Sequence, residues 1–110
     1  MKVLFDECFP SGLRNEYSEH EVLTVYDMQW QGKKNGDLLT LAVENRFEVF
    51  VTIDKNLKYQ LNTKKYRIGI IVLDIIKTKI DFIKPLKKEI LKSISKIRPY
   101  EVIEIKQRKS

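Results

Sequence analysis

At 110 residues the chain fits one domain with one core, residues 1–110, and its 43% hydrophobic and 33% charged residues exclude a disordered polymer. No apolar run approaches the roughly 18 residues of a membrane span. The first run follows a lone Lys2 and stops at Asp6, which argues against a signal peptide, and the single Cys8 excludes an internal disulfide and points to a reducing, cytoplasmic setting. The net charge of +6 is unevenly spread: residues 1–54 hold five basic against ten acidic residues, and residues 55–110 hold sixteen against five. That division suits an acidic site beside a basic surface able to hold a polyanion, although solvated lysines on helix faces give the same count.

Met1 to Phe5 reads as a buried strand, broken by Pro10, Ser11 and Gly12, with room for a short helix over Leu13 to Tyr17. His20, the only histidine, sits in a polar turn before a second strand, Glu21 to Tyr26. Asp27 to Gly36 is a loop whose Trp30 is expected to pack as a lid on the next helix. That helix starts at Asp37, an acid at or near the N-cap, and runs through Leu38 to Val43. Glu48 to Ile53 is close to continuously apolar, as expected of a parallel strand covered on both faces. A short helical stretch follows around Leu57 to Leu61. Ile68 to Leu73 is the most hydrophobic strand and is expected at the sheet centre. The last long helix spans roughly Asp81 to Ile97. Ile83, Leu86, Ile90, Ile94 and Ile97 form its buried stripe, and Lys84, Lys88, Lys92 and Lys96 form the opposite one. Pro85 is tolerated only near a first turn, so the regular helix should begin close to it. Pro99 stops that helix, Val102 to Ile105 is a last strand, and Gln107 to Ser110 is a basic tail.

Strands alternating with helices predict an α/β fold, a mostly parallel central sheet with helices on both faces. Ligands in such folds bind beyond the carboxyl ends of the strands, where strand order reverses. Asp6 and Glu7 follow the first strand and Asp54 follows the third, so all three belong to that edge. The helix beginning near Asp37 starts at the same edge, and Glu44 lies seven residues further on, about 10 Å along the axis. Spacing therefore favours Asp37 over Glu44. Three or four carboxylates gathered at one edge repel one another unless a cation sits among them. Mg²⁺ or Mn²⁺ needs few protein oxygens beside a phosphate substrate, and such ions generate a nucleophile and stabilise a leaving oxygen. Taken singly, each acid has a plainer role: Asp6 in a turn, Asp37 as an N-cap, Asp54 at a helix start.

Other chemistries find no support. Gly32 and Gly36 are isolated, with no Gly-Lys-Ser/Thr phosphate loop after them. His20 in a polar turn makes no Ser/His/Asp arrangement, and Cys8 has no histidine partner and reads as a small buried or loop residue.

The segments VLFDECFP, HEVLTVYDMQWQGKKNGDLLTLA, FEVFVTIDKNLKYQ and PYEVIEI, in this order and spacing, resemble a group of small bacterial PIN-like proteins. These are related to the toxin nucleases of toxin–antitoxin pairs, and the resemblance covers nearly the whole chain. It implies a PIN-like three-layer α/β/α sandwich and an acidic site at Asp6, Asp37 and Asp54 with Glu7 adjacent. It further implies Mg²⁺ or Mn²⁺ as cofactor, single-stranded RNA as substrate, and an antitoxin protein as partner; a homodimer is compatible with it. Many relatives carry an acid at the position of Asn56, two residues after Asp54, so this chain's site holds one negative charge fewer.

The expectation is a metal-dependent endoribonuclease, with Asp6 and Asp54 as principal ligands and Asp37 completing the site. Lys33, Lys34, Lys55, Asn56 and Lys58 are the candidate RNA contacts, through a salt-sensitive interaction with the backbone. Two alternatives stand beside it. A catalytically silent PIN-like domain would use the basic half alone to bind RNA or an antitoxin. A receiver-like signalling domain would take a phosphoryl group on Asp54, but only six residues separate Leu73 from Ile80, too few for the helix it needs there.

Overall fold

A computed structural model describes residues 1–7, 9, 11–75 and 83–106, without the side chains of Ser11, Leu13 and Lys58. Expectations for Cys8, Pro10, the helix start at Asp81 and the tail from Gln107 lie outside the described residues. Five strands form one sheet in the order β2-β1-β3-β4-β5: β1 Lys2–Phe5, β2 Glu21–Thr24, β3 Val49–Thr52, β4 Gly69–Asp74 and β5 Val102–Lys106. Every neighbouring pair is parallel. The chain leaves β1 for β2 on one side and returns as β3 on the other, so strand order reverses between β1 and β3.

Alternation along the strands divides the core. Val3, Phe5, Val49, Val51, Ile71 and Leu73 face one cluster, and Leu4, Phe50, Ile70 and Val72 face the other. The first cluster lies under the 3-10 turn Ser11–Tyr17 and the helix Lys87–Lys96, which we label α3. Phe5 stacks at 5.0 Å from Phe9 and edge-on at 5.3 Å from Tyr17. Burial is the first cause that pushes the Tyr17 hydroxyl up to about 12. The second cluster lies under α1, Asn35–Glu44, and the short α2, Leu57–Gln60. Trp30 joins this side, edge-on to Phe47 at 6.0 Å.

The stripe expected of the last helix is buried, from Ile83 through Ile97, and Lys84, Lys88, Lys92 and Lys96 are exposed. Pro85 sits in a 3-10 turn, Lys84–Leu86, and the regular helix begins directly after it. Several expectations need correction. β3, not β4, is the central strand; both are covered on two faces, so their hydrophobicity does not distinguish their lateral places. The second strand ends at Thr24, two residues early, because the Asp27 carboxylate accepts the Thr24 N–H at 2.8 Å while the Thr24 hydroxyl accepts the Asp27 N–H at 3.1 Å. Helix α1 begins at Asn35 with Lys34 as its cap, which leaves Asp37 inside the first turn, where a negative charge is favoured by the helix dipole.

Two junctions at the amino end of the sheet use large residues where glycine is usual. Helix α1 ends with Phe47 N–H donating to the Ala42 carbonyl at 2.9 Å and Arg46 N–H donating to the Val43 carbonyl at 3.1 Å. This is the Schellman arrangement, and its left-handed residue is Arg46, with φ of 65°. A left-handed residue with a Cβ costs about 1–2 kcal/mol. In the turn Arg98-Pro99-Tyr100-Glu101, Glu101 N–H donates to the Arg98 carbonyl at 3.1 Å and Tyr100 has φ of 73°. Pro second and a positive φ third is the type II pattern, whose third position also calls for glycine.

At Gly69 the need is for space: an added Cβ would lie 2.9–3.0 Å from three atoms of the Ile97 side chain. We expect Gly69→Ala to lower stability by about 1–3 kcal/mol, read from urea unfolding. Combining it with Ile97→Val should lose less than the two single changes together.

Candidate active site

The carboxyl ends of β1 and β3 bring their terminal acids to the point where strand order reverses, the location at which parallel sheets bind ligands. Asp6 directly follows β1, and its N–H still donates across to the Val51 carbonyl at 3.0 Å, so the ladder itself holds the residue. The residue is 8% exposed. The Thr52 hydroxyl donates to Asp6 Oδ2 at 2.6 Å and the Glu7 N–H donates to Oδ1 at 2.8 Å. The same Thr52 oxygen accepts the Asp54 N–H at 3.0 Å, so one buried hydroxyl ties the two aspartates together. Asp54 Oδ2 accepts from the Asn35 side-chain amide at 3.0 Å, and Oδ1 accepts the Asn56 N–H at 3.0 Å, an Asx turn that starts α2. Each of the four carboxylate oxygens accepts one of these bonds and keeps lone-pair capacity for another partner.

Asp6, Glu7, Asp54, Asn35 and Lys33 line a cleft of about 380 Å³ with Ile53 and Leu38. Burial raises the Asp6 pKa above its ordinary value; the Thr52 and Glu7 hydrogen bonds oppose this, and the charges of Glu7 and Asp54 add to it. The cleft therefore holds a carboxylate whose ionised form is desolvated and faces two neighbouring acids. A cation would relieve both penalties. Glu7 also accepts the Gly32 N–H at 3.2 Å, which fastens the loop before α1 to the end of β1. Gly32 has φ of 81°, the conformation that lets this loop turn back.

Asp37 is exposed and does not line the cleft; Asn35, two residues earlier, does. Lys33 and Lys34 line an adjoining depression of about 370 Å³ with Asn35 and Gln60. Lys55 forms an ion pair with Asp74 at 3.0 Å, and Asn56 is exposed. The Lys58 side chain lies outside the described atoms. Three residues of this edge escaped the sequence reading: Asn35, Thr52 and Asp74. Asp74 had a legible signal, since it ends the apolar run of β4 as Asp6 and Asp54 end theirs. Thr52 had none, because a threonine inside an apolar run reads as an ordinary strand residue.

Comparison of the chain with protein-family models, with curated proteins and with solved structures finds no significant match.

Whether the cleft fits a metal turns on its donors. Among the described residues no three His, Cys, Asp or Glu groups gather as a ligand cluster. Asp6 and Asp54 nonetheless supply two linked carboxylates, and Mg²⁺ characteristically takes one or two, leaving its other positions to water and substrate phosphate. The residues present therefore fit a weakly held, substrate-completed ion, not a dedicated protein cage.

Proposed function

We propose that the protein is a PIN-like, metal-dependent endoribonuclease acting on single-stranded RNA. The observation that supports this most is Asp6: a nearly buried carboxylate, bonded to Thr52 and linked through it to Asp54, at the reversal point of a parallel sheet. Asp6 and Asp54 would hold the ion, with Glu7 flanking. When bound, Mg²⁺ or Mn²⁺ supplies charge stabilisation for the phosphodiester and a water of lowered pKa. The chain supplies the rest. Thr52 fixes the rotamer of Asp6 and Asn35 fixes that of Asp54, so the ligands are oriented before substrate arrives. Lys33 brings a positive charge to the cleft wall, and Lys34 continues it into the neighbouring depression, a path for the RNA backbone. An antitoxin protein as restraining partner belongs to the same reading.

The test is cleavage of a labelled single-stranded RNA with Mn²⁺ or Mg²⁺. We expect Asp54→Asn to reduce the rate by about 10²-fold or more, the scale of losing one well-placed electrostatic group. Equal cleavage by the native chain and the variant rejects the assignment.

The strand order favours a second reading, and the spacing objection to it falls, because the strand described after β4 is β5, with the helix Lys87–Lys96 between them. Order 2-1-3-4-5 is that of flavodoxin-like sheets, among them a receiver, and Asp54 occupies the end of β3 beside two acids after β1. On that reading Asp54 accepts a phosphoryl group. Incubation with acetyl phosphate and Mg²⁺ separates the two: stable labelling at Asp54, lost in Asp54→Asn, would replace the nuclease reading.

A further inference from the structure

The opposite end of the sheet carries features that the acidic cleft does not use. At the amino ends of the strands, a pocket of about 270 Å³ is lined by the apolar Val43, Phe47, Ile97 and Pro99, by Arg46 and Arg67, and by Glu48, whose carboxylate accepts the Lys2 N–H at 3.3 Å. Arg67 and Val43 also line a second depression, of about 380 Å³, with Glu44, Lys65, Tyr66 and Tyr100, so that Arg46, Lys65 and Arg67 outnumber the two carboxylates of this surface, Glu44 and Glu48. Among the described residues no carboxylate forms an ion pair with Arg46, Lys65 or Arg67. All three are exposed, as is Tyr100, at 45%.

The backbone marks the same region independently. Arg46 and Tyr100 both occupy left-handed positions where glycine would relieve strain, one at the end of α1 and the other at the entry to β5. The two belong to unrelated elements, yet their side chains border the same continuous surface around Arg67. Strain held by the fold at sites that one surface shares is a sign of function.

We propose that this edge is a docking site for an acidic peptide segment of a partner protein. An aliphatic or aromatic side chain of the peptide fills the apolar pocket, and its flanking carboxylates pair with Arg46 and Arg67. Charge complementarity selects the occupant, because unpaired guanidiniums form bidentate contacts with carboxylates. The pocket's shape disfavours a nucleobase. Phe47, its aromatic ring, is only 2% exposed, with the Lys2 ammonium 4.5 Å from its centroid and Trp30 in edge contact, so no face is open for base stacking. The site stands whether or not the acidic cleft cleaves RNA, since the two share no residue.

The experiment uses the full chain, ¹⁵N-labelled, titrated with the capped hexapeptide Asp-Glu-Leu-Phe-Glu-Asp and separately with a uridine hexanucleotide. Amide shifts with the peptide should fall on residues 43–48, 65–67 and 97–101, away from Asp6 and Asp54. Arg67→Ala should weaken peptide binding about tenfold, the loss of one charge-assisted pair. Arg46→Gly should weaken it similarly while raising Tm by about 2–4 °C, because strain is removed. That opposition separates docking from a structural role. Arg46→Gly that raises Tm and leaves peptide affinity unchanged overturns the proposal. So does a peptide that shifts no amide at about 10³ μM, the weak end of peptide recognition, or a uridine oligomer that binds this edge more tightly than the peptide.

Discussion

Asp6→Asn should abolish metal-dependent RNA cleavage, by about 10³-fold, and yet make the protein more stable at neutral pH. The two effects have one origin. Burial and the charges of Glu7 and Asp54 raise the folded-state pKa of Asp6 above its unfolded value of about 3.9. In the window between the two values the folded chain binds more protons than the unfolded one, so stability falls as pH rises through it. Above the window the full penalty of the ionised, desolvated carboxylate is present. Asparagine removes that penalty and keeps an oxygen to accept the Glu7 N–H and an amide to bond Thr52. We expect Asp6→Asn to gain about 1 kcal/mol at pH 7, the usual scale for relieving strain at a functional site. The gain should vanish below the unfolded pKa, where the native side chain is protonated in both states. Asp27 behaves with the opposite sign: the Arg14 guanidinium hydrogen-bonded to it is the first cause that lowers its pKa, so its contribution is lost as pH falls. Comparing variant and native chains at each pH removes the Asp27 contribution from the difference. A variant no more stable than the native chain at pH 7 would mean that Asp6 is not under the charge stress its surroundings imply.

The second large effect is on folding. Phe50 is fully buried in the central strand, paired with Leu4 of β1 and Ile70 of β4, and belongs to the α1-side cluster. Phe50→Ala should lower stability by about 3–5 kcal/mol, a large part of the roughly 5–15 kcal/mol of a domain. Guanidinium unfolding read by the Trp30 fluorescence measures it, since Trp30 belongs to the same cluster. Ile103, half-buried on the edge strand β5, gives the contrast: Ile103→Ala should lose clearly less, because less of its side chain leaves water on folding.

What could be read in advance followed from period and punctuation. Strands covered on both faces are continuous apolar runs, and β1, β3 and β4 are such runs, each stopped by an acid or a threonine and acid together. The spacing of Ile83, Leu86, Ile90, Ile94 and Ile97 marked the buried face of α3 and of the 3-10 turn that leads into it. Lateral order was not legible, because Val49–Thr52 and Gly69–Asp74 are both covered on two faces and the order depends on where the connecting helices pack. The start of α1 was displaced by two residues because its cap, Lys34, makes no side-chain capping bond and looks like any loop lysine. That displacement bears on the site: Asn35 enters the cleft and Asp37 stays on the exposed side of the first turn. The left-handed Arg46 and Tyr100 were hidden for the converse reason, since the usual glycine signal is missing at both positions.

On the proposed function Asp6 and Asp54 jointly hold a divalent cation, and paramagnetic Mn²⁺ tests this without depending on any RNA. Titrated into the ¹⁵N-labelled chain, Mn²⁺ should broaden the amide signals of Asp6, Glu7, Ile53 and Asp54 first, and Asp54→Asn should remove that broadening while the rest of the spectrum stays folded. Broadening that begins elsewhere, or that persists unchanged in Asp54→Asn, would contradict the account.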